Sequence, residues 1–190
     1  MKKIIKYVIY SIITFAMLLV LVIVFSPYRK KEGSIQKMIV ESIVINEKPN
    51  KIYNYLGNSD NAEDWSVYVD HISSLNPDAY SDGEIGSIRR CFKNKDEKGI
   101  YWDEEILITE KNERRRLSIF NMNGFGVETD KLVTEQLYRE KDGKCEISFT
   151  LFYGNGKANW YDELKLYFAA YKVAYIFKGN LQKIKELNEI

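Results

Sequence analysis

Among the side chains that can act as a general acid or base, Glu104 and His71 are the candidates that we single out in the sequence. Glu104 lies in the run Tyr101–Glu110, where alternation places it with Trp102 and Ile106 on one face of a predicted strand. If that face borders a cavity, the carboxylate is able to orient a ligand hydroxyl or to accept a proton.

Both residues also have a structural interpretation. Glu104 could equally lie at a cavity rim, and a shifted strand would turn Asp103 and Glu105 inward instead. His71 is the single histidine, it stands near the start of an extended segment, and no nucleophile is tied to it by sequence. We therefore regard Glu104 and His71 as candidates for catalysis, and neither as an assigned catalytic residue.

Other polar motifs are interpreted as structural. The segment Gly154–Gly156 precedes a helix as a dinucleotide-binding loop does, but Asn159 occupies the place of the third glycine, so a turn is predicted. The basic cluster Arg114–Arg116 could contact anionic headgroups, although nearby glutamates favour a solvated hairpin end. Cys91 and Cys145 lack the spacing of a zinc or redox motif and are predicted to be small buried hydrophobic residues.

Composition limits the possible partners. The chain has 28 Lys and Arg against 27 Asp and Glu, and its net charge of +1 gives no broad field for attracting nucleic acid. A single histidine excludes a metal site rich in imidazole. We therefore expect no nucleic-acid partner, no metal and no cofactor.

The N-terminal segment Tyr7–Phe25 is uncharged and long enough, at about 1.5 Å per helical residue, to cross a bilayer. Lys2, Lys3 and Lys6 precede it, as in a signal peptide, but the apolar run exceeds a usual signal core and no small-x-small cleavage site follows. This predicts an uncleaved single-pass membrane anchor. Basic residues in Arg29–Lys31 nearly balance the basic start, so orientation stays open, with a slight preference for an extracytoplasmic domain.

The rest of the chain is predicted to be one domain, residues 35–190, after an anchor and polar tether, residues 1–34. A first strand at Gln36–Asn46 leads to a short helix at Glu47–Leu56 and a helical turn. Antiparallel strands are then predicted near Ile72 and at 86–93, 101–110, 116–121, 127–140 and 144–153. A long helix from Asn159 to about Asn188 ends the chain.

An aromatic stripe runs along this last helix, because aromatic and apolar residues recur at spacings of three and four from Trp160 to Tyr175. The antiparallel sheet is the available partner for such a stripe. If every ring packs against the sheet, the core is filled and no cavity remains.

This order of elements resembles the SRPBCC superfamily, which includes START-related lipid-transfer domains, polyketide cyclase/dehydrase-like proteins and birch-pollen-allergen-like proteins. The resemblance covers residues 35–190 and is carried by ESIVINEKPNKIYNYLGNSDNAEDWSVYV, DGEIGSIRR, WDEEI and NLQKIKELNE. It implies an α+β helix-grip fold, with a curved antiparallel sheet of about seven strands around the long C-terminal helix. Such folds leave a cavity for apolar molecules between sheet and helix.

The resemblance also implies which side chains face that cavity. They are Trp65, Trp102, Glu104, Phe149, Leu151, Tyr153, Trp160, Leu164, Phe168 and Tyr171.

Three functions are compatible with these observations. The first is membrane-anchored binding or transfer of an apolar small molecule, lipid-like or polyketide-like. The second is a cyclase or dehydratase that uses Glu104 or His71 as acid or base. The third is a structural or partner-binding domain with a filled core. We favour binding over catalysis because the sequence does not tie either candidate to a second catalytic group.

Overall fold

The computed structural model describes residues 2–125, 131–154 and 158–189. Its centre is an eight-stranded antiparallel sheet in the order β1-β2-β8-β7-β6-β5-β4-β3. The strands are β1 (Arg29–Lys30), β2 (Lys37–Ile45), β3 (His71–Ser74), β4 (Ile88–Phe92), β5 (Tyr101–Glu110), β6 (Arg114–Asn123), β7 (Leu132–Lys141) and β8 (Lys144–Tyr153). From β3 to β8 each strand pairs with the next in sequence, and β2 pairs with β8.

Turn chemistry explains why consecutive strands pair. Asp142 and Gly143 join β7 to β8 with φ values of 53° and 77°, the left-handed conformation that a two-residue hairpin turn requires. The described part of β7 begins at Leu132, and the residues 127–130 that we predicted as its start lie outside the described residues.

Among the described residues, four α-helices accompany the sheet: α1 (Lys2–Phe25), α2 (Pro49–Gly57), α3 (Ala62–Trp65) and α4 (Trp160–Asn188). A 3-10 turn at Ser59–Asn61 links α2 to α3. The Asn159 side chain caps α4 by accepting hydrogen bonds from the backbone N–H groups of Tyr161 and Asp162. At about 1.5 Å per residue, α4 is about 43 Å long and can run along the whole sheet.

The face of α4 that packs on the sheet differs from the predicted one. The buried row contains Leu166, Ala170, Ala174, Leu181 and Ile184. Alanine at two of these positions lets the helix backbone approach the sheet closely, which a row of bulky rings would prevent. The aromatic stripe is therefore rotated away from the sheet along part of its length.

Helix α1 and the domain are directly connected. The Ser26 hydroxyl donates a hydrogen bond to the Tyr167 carbonyl (2.9 Å), and the Tyr171 hydroxyl donates one to the Val22 carbonyl (3.0 Å). Tyr28 is 5% exposed and belongs to the core, and β1 pairs with the start of β2. The predicted polar tether is thus partly folded onto the domain, and β1 is the strand beyond the seven expected.

Helix α1 is exposed along most of its length. Its span Lys3–Phe25 is long and apolar enough to cross a membrane, a test that a signal sequence also passes. None of its most apolar stretch is buried within the protein, so α1 is not a core helix here.

Candidate functional site

A cavity of about 560 Å³ lies between the sheet and the N-terminal half of α4. Side chains from β5, β6, β7 and β8 form one wall, and α4 forms the other. The lining is mostly apolar and includes Tyr68, Ile100, Trp102, Ile119, Met122, Phe125, Leu132, Leu151, Leu166, Phe168, Ala169, Val173, Ile176 and Phe177. Phe168 is 43% exposed, and Lys172 is exposed, so these two residues lie at the opening of the cavity.

A smaller chamber of about 110 Å³ lies next to the cavity and shares several lining residues with it, among them Trp102, Glu104 and Phe177. Its other lining residues are more polar and include Arg89, Gln136 and Asn180. The two spaces together form a pocket with an apolar body and a polar end.

Glu104 and Arg89 are the charged groups of this polar end. Its carboxylate Oε2 accepts hydrogen bonds from Nε (3.1 Å) and Nη2 (3.0 Å) of Arg89, and its Oε1 accepts one from Nε1 of Trp102 (2.9 Å). Both charged residues are buried. The strand register places them opposite each other, because Arg89 on β4 pairs with Glu104 on β5. Asp103 instead pairs with Arg90, and neither Asp103 nor Glu105 lines the cavity or the chamber. The alternative in which a shifted strand turns Asp103 and Glu105 inward is therefore excluded.

Burial and charge determine the electrostatics of the polar end. Burial is the largest single influence on Arg89 and acts to lower its pKa, but the charge and hydrogen bonds of Glu104, together with the nearby Cys91 and Asp82, give a net rise in that pKa, so the guanidinium stays charged. Burial, reinforced by the charge of Glu104, raises the pKa of the neighbouring Cys91 thiol well above its usual range. The pair is thus a fixed dipole at the polar end of the pocket, and Cys91 is a neutral thiol beside it.

A second polar group borders the inner chamber through Gln136. The Tyr138 hydroxyl donates to Oε1 of Gln136 (2.7 Å), and Nη1 of the buried Arg115 donates to the same oxygen (3.2 Å). Trp65 lines the chamber as well, and no described residue accepts a hydrogen bond from its buried indole N–H. A buried donor left without an acceptor costs roughly 1–3 kcal/mol of stability.

His71 lies away from the described cavity lining. Its ring stacks on Phe92 at the edge strand β3, and its two nitrogens contact Asp70 (3.0 Å) and Glu97 (3.3 Å). The hydrogen bond to Asp70, with a further one to Glu97, raises the pKa of His71. The surroundings of His71 are those of a surface ion pair.

Of the ten residues predicted to face the cavity, six line the cavity or the inner chamber and four do not. Trp102, Glu104, Leu151 and Phe168 line the larger cavity, and Trp65 and Phe149 line the inner chamber.

Tyr153 is 2% exposed and packs within the core, outside the cavity lining, and Leu164 is half-buried on α4 and also outside it. Trp160 is 77% exposed and Tyr171 43% exposed, so neither faces the interior. For Trp160 and Tyr171, the rotation of α4 explains why they do not line the cavity, since the row Leu166, Ala170 and Ala174 faces the sheet instead.

Several site residues were missed by the sequence analysis, most importantly Arg89. A signal for it exists, because Arg89 and Arg90 face Asp103 and Glu104 across the β4–β5 hairpin. Thr134 and Phe177, which line both spaces, were also missed.

The remaining motifs have structural roles. Arg114 and Arg116 form ion pairs with Glu135, and Arg115 is buried, so the arginine cluster is engaged within the domain. Both cysteines are free and buried, as predicted. Asn155 and Gly156 of the predicted turn lie outside the described residues.

Within residues 2–125, 131–154 and 158–189, no three His, Cys, Asp or Glu side chains cluster in a way that could hold a metal ion.

Solved structures share this architecture at low sequence identity. XoxI from Bacillus cereus matches with a TM-score of 0.59 and 15% identity, over 79% of this chain and 94% of its own. Ara h 8.0201 matches with a TM-score of 0.56 and 18% identity, over 77% and 96%. The Aha1 dimer from Colwellia psychrerythraea matches with a TM-score of 0.57 and 17% identity, over 80% and 96%. No protein-family model and no curated protein sequence matches the chain.

These likenesses define the class of protein to which the fold belongs. The domain has the helix-grip fold, with an antiparallel sheet around a long C-terminal helix, and the predicted fold class is confirmed. At identities below 20%, the comparisons show the fold and leave the ligand to be inferred from the cavity.

Proposed function

We propose that the protein is a single-pass membrane protein whose domain binds or transfers an apolar small molecule, of a lipid-like or polyketide-like class. The observation that carries the proposal is the cavity of about 560 Å³ between the sheet and α4. Its size falls in the range of roughly 300–1,000 Å³ that holds small organic ligands. Affinity comes mainly from removing apolar ligand surface from water, at roughly 2.5 kcal/mol per 100 Å².

The polar end of the pocket narrows the ligand class. Arg89 and Glu104 form a charged pair at this end, and Gln136 and Asn180 line the same chamber. A ligand with one hydroxyl, carbonyl or carboxyl group at the end of an apolar body satisfies both parts of the pocket. We therefore expect an amphipathic molecule bound with its polar group innermost.

Helix α1 supports the membrane part of the proposal, because its length and composition suit a bilayer span and none of its apolar stretch is buried in the domain. We expect the N-terminus in the cytoplasm and the domain outside it. Protease added to intact cells should then degrade the domain, whereas protection until lysis would place the domain in the cytoplasm.

The test of binding uses the full chain, extracted with its surrounding lipid, followed by solvent extraction and mass spectrometry. The matched control is Ala169→Phe, which places a ring into the cavity from α4. We expect one class of molecule to be enriched in the wild type and several-fold reduced in the variant. Identical profiles, together with failure to bind a panel of amphipathic lipids, would reject the proposal.

An enzymatic role has less support from the geometry. Two hydrogen bonds from Arg89 and one from the Trp102 indole hold the Glu104 carboxylate in place, and His71 lies outside the described cavity lining. If a turnover is found, its retention in both Glu104→Gln and His71→Ala would exclude these residues as acid or base. The cavity itself argues against a filled, purely structural core.

A further inference from the structure

Helix α4 exposes large aromatic side chains on one side. Trp160 and Tyr175 are each 77% exposed and Tyr171 is 43% exposed. Spacings of eleven and four residues place them within about 60° of one another around the helix axis. We call Trp160, Tyr171 and Tyr175 the aromatic face. Such a row of exposed rings on a folded domain indicates a contact surface.

Helix α1 leaves the domain from this face. The Tyr171 hydroxyl bonds to the Val22 carbonyl, and the neighbouring Tyr167 carbonyl accepts a hydrogen bond from Ser26. Within α1, the residues Leu19, Val22 and Ile23 are half-buried, whereas most of the helix is exposed. The last turns of α1 therefore lie against the aromatic face.

The last turns of α1 determine which surroundings the aromatic face meets. Helix α1 has 24 residues and is about 36 Å long, slightly longer than a hydrocarbon core of about 30 Å, so its C-terminal turns lie near the membrane boundary once it is inserted. Tyrosine and tryptophan prefer this boundary, because their rings are apolar and their N–H or O–H groups stay hydrated. The exposed Arg29 and Lys30 follow directly and suit anionic headgroups.

We propose that the aromatic face lies in the headgroup layer of the same bilayer that α1 crosses, so that the domain rests on the lipid surface. The inference depends on the anchoring part of the proposed function and is independent of which ligand fills the cavity. Its partner is a lipid surface, chosen because α1 delivers this face to the membrane boundary.

The placement has a consequence for ligand entry. Phe168 and Lys172 lie at the cavity opening and are direct sequence neighbours of Tyr167 and Tyr171, which contact α1. The opening therefore lies beside the lipid surface. A molecule can pass between bilayer and cavity with little exposure to water.

The test places an environment-sensitive fluorophore on the aromatic face of the full chain in liposomes of zwitterionic and anionic lipid. Tyr175→Cys provides the site, because Cys91 and Cys145 are buried and react little in the folded protein. Lys111→Cys, exposed in the β5–β6 turn, is the matched control. We expect lipid-borne nitroxide to quench the Tyr175 probe several-fold more than the control, and aqueous iodide to show the reverse order.

A second measurement avoids the introduced cysteine. Brominated lipid should quench the tryptophan emission of the wild type more than that of Trp160→Phe, since Trp65 and Trp102 are shared by both proteins. Equal quenching, with a Tyr175 probe as open to iodide as the Lys111 probe, would overturn the inference. The anchoring proposal is tested separately by alkaline carbonate washing. Release of the protein would reject both, whereas retention with a water-exposed aromatic face rejects only this inference.

Discussion

Arg89 and Glu104 form a buried ion pair at the polar end of the pocket, where each charge is stabilised by the other. Their side chains are 9% and 10% exposed, so solvent screens them weakly. Removing one partner leaves a buried charge without compensation, which costs roughly 3–5 kcal/mol, whereas replacing both by apolar side chains costs much less.

We therefore expect Glu104→Leu to lower the free energy of unfolding by roughly 3–5 kcal/mol, and Arg89→Met with Glu104→Leu to recover most of that loss. Denaturant unfolding of the full chain in detergent, followed by circular dichroism, measures both. The exposed pair of Lys51 and Glu47 is the control, and Glu47→Gln should change stability little. A double variant no more stable than Glu104→Leu would contradict this account.

His71 provides a prediction on pH. Its hydrogen bond to Asp70 raises its pKa above the usual value of about 6.5. The pKa of His71 is higher in the folded than in the unfolded state, so the protonated ring stabilises the folded protein. This contribution is fully present below about pH 6.5 and is lost as the pH rises through the folded-state pKa. NMR titration of the single histidine should show this raised pKa.

Asp70→Asn should shift the His71 titration toward lower pH, because it removes the larger of the two acidic contacts. Glu97→Gln should shift it less. The same pKa in all three proteins would show that neither carboxylate contacts the ring in solution.

At the level of elements, two adjacent alanines on α4 test how the helix sits on the sheet. Ala170 is fully buried in the core, whereas Ala169 lines the cavity. Ala170→Leu should overpack the core and lower the free energy of unfolding by roughly 1–3 kcal/mol, while Ala169→Leu has room and should cost less. Thermal or denaturant unfolding of the two variants side by side decides this. Equal losses would show that the cavity is filled in solution.

These alanines also mark where prediction from sequence stops. Periodicity predicted both the existence and the bounds of α4, because a 3.6-residue repeat over thirty residues is a strong signal. The prediction of which side of the helix faces the sheet was wrong along part of its length, because the aromatic stripe was expected there and the buried row contains Leu166, Ala170 and Ala174. An aromatic stripe and a row of alanine and leucine both have helical spacing, and close approach to the sheet selects the smaller side chains.

The pairing of strands limited the prediction of the site in a similar way. Alternation correctly placed Glu104 and Trp102 on the inner face, since side-chain parity is local information. Arg89 was missed because its contact with Glu104 depends on the register of the hairpin. The predicted tether was misjudged in part because Tyr28, in a polar stretch, finds its partners in core residues far along the chain.

For the whole molecule, the two cysteines report on global folding. Both are buried, burial raises the pKa of Cys145 to about 11, and that of Cys91 is also raised. Near pH 8 we therefore expect thiol reagents to react very slowly with the folded protein and rapidly in denaturant. Time-resolved labelling with mass spectrometry measures this. Fast modification of either thiol without denaturant would show that the sheet opens locally.

Only Ser26 and Pro27 separate the end of α1 from the core residue Tyr28, and Ser26 is itself bonded to α4. Because so few residues link α1 to the core, the orientation of the domain is coupled to that of α1. The tilt of α1 therefore also determines the direction in which the cavity opening faces. If α1 crosses a bilayer as proposed, the cavity opening is held at a fixed position relative to that bilayer, which favours exchange of a ligand with this membrane over delivery to a distant one.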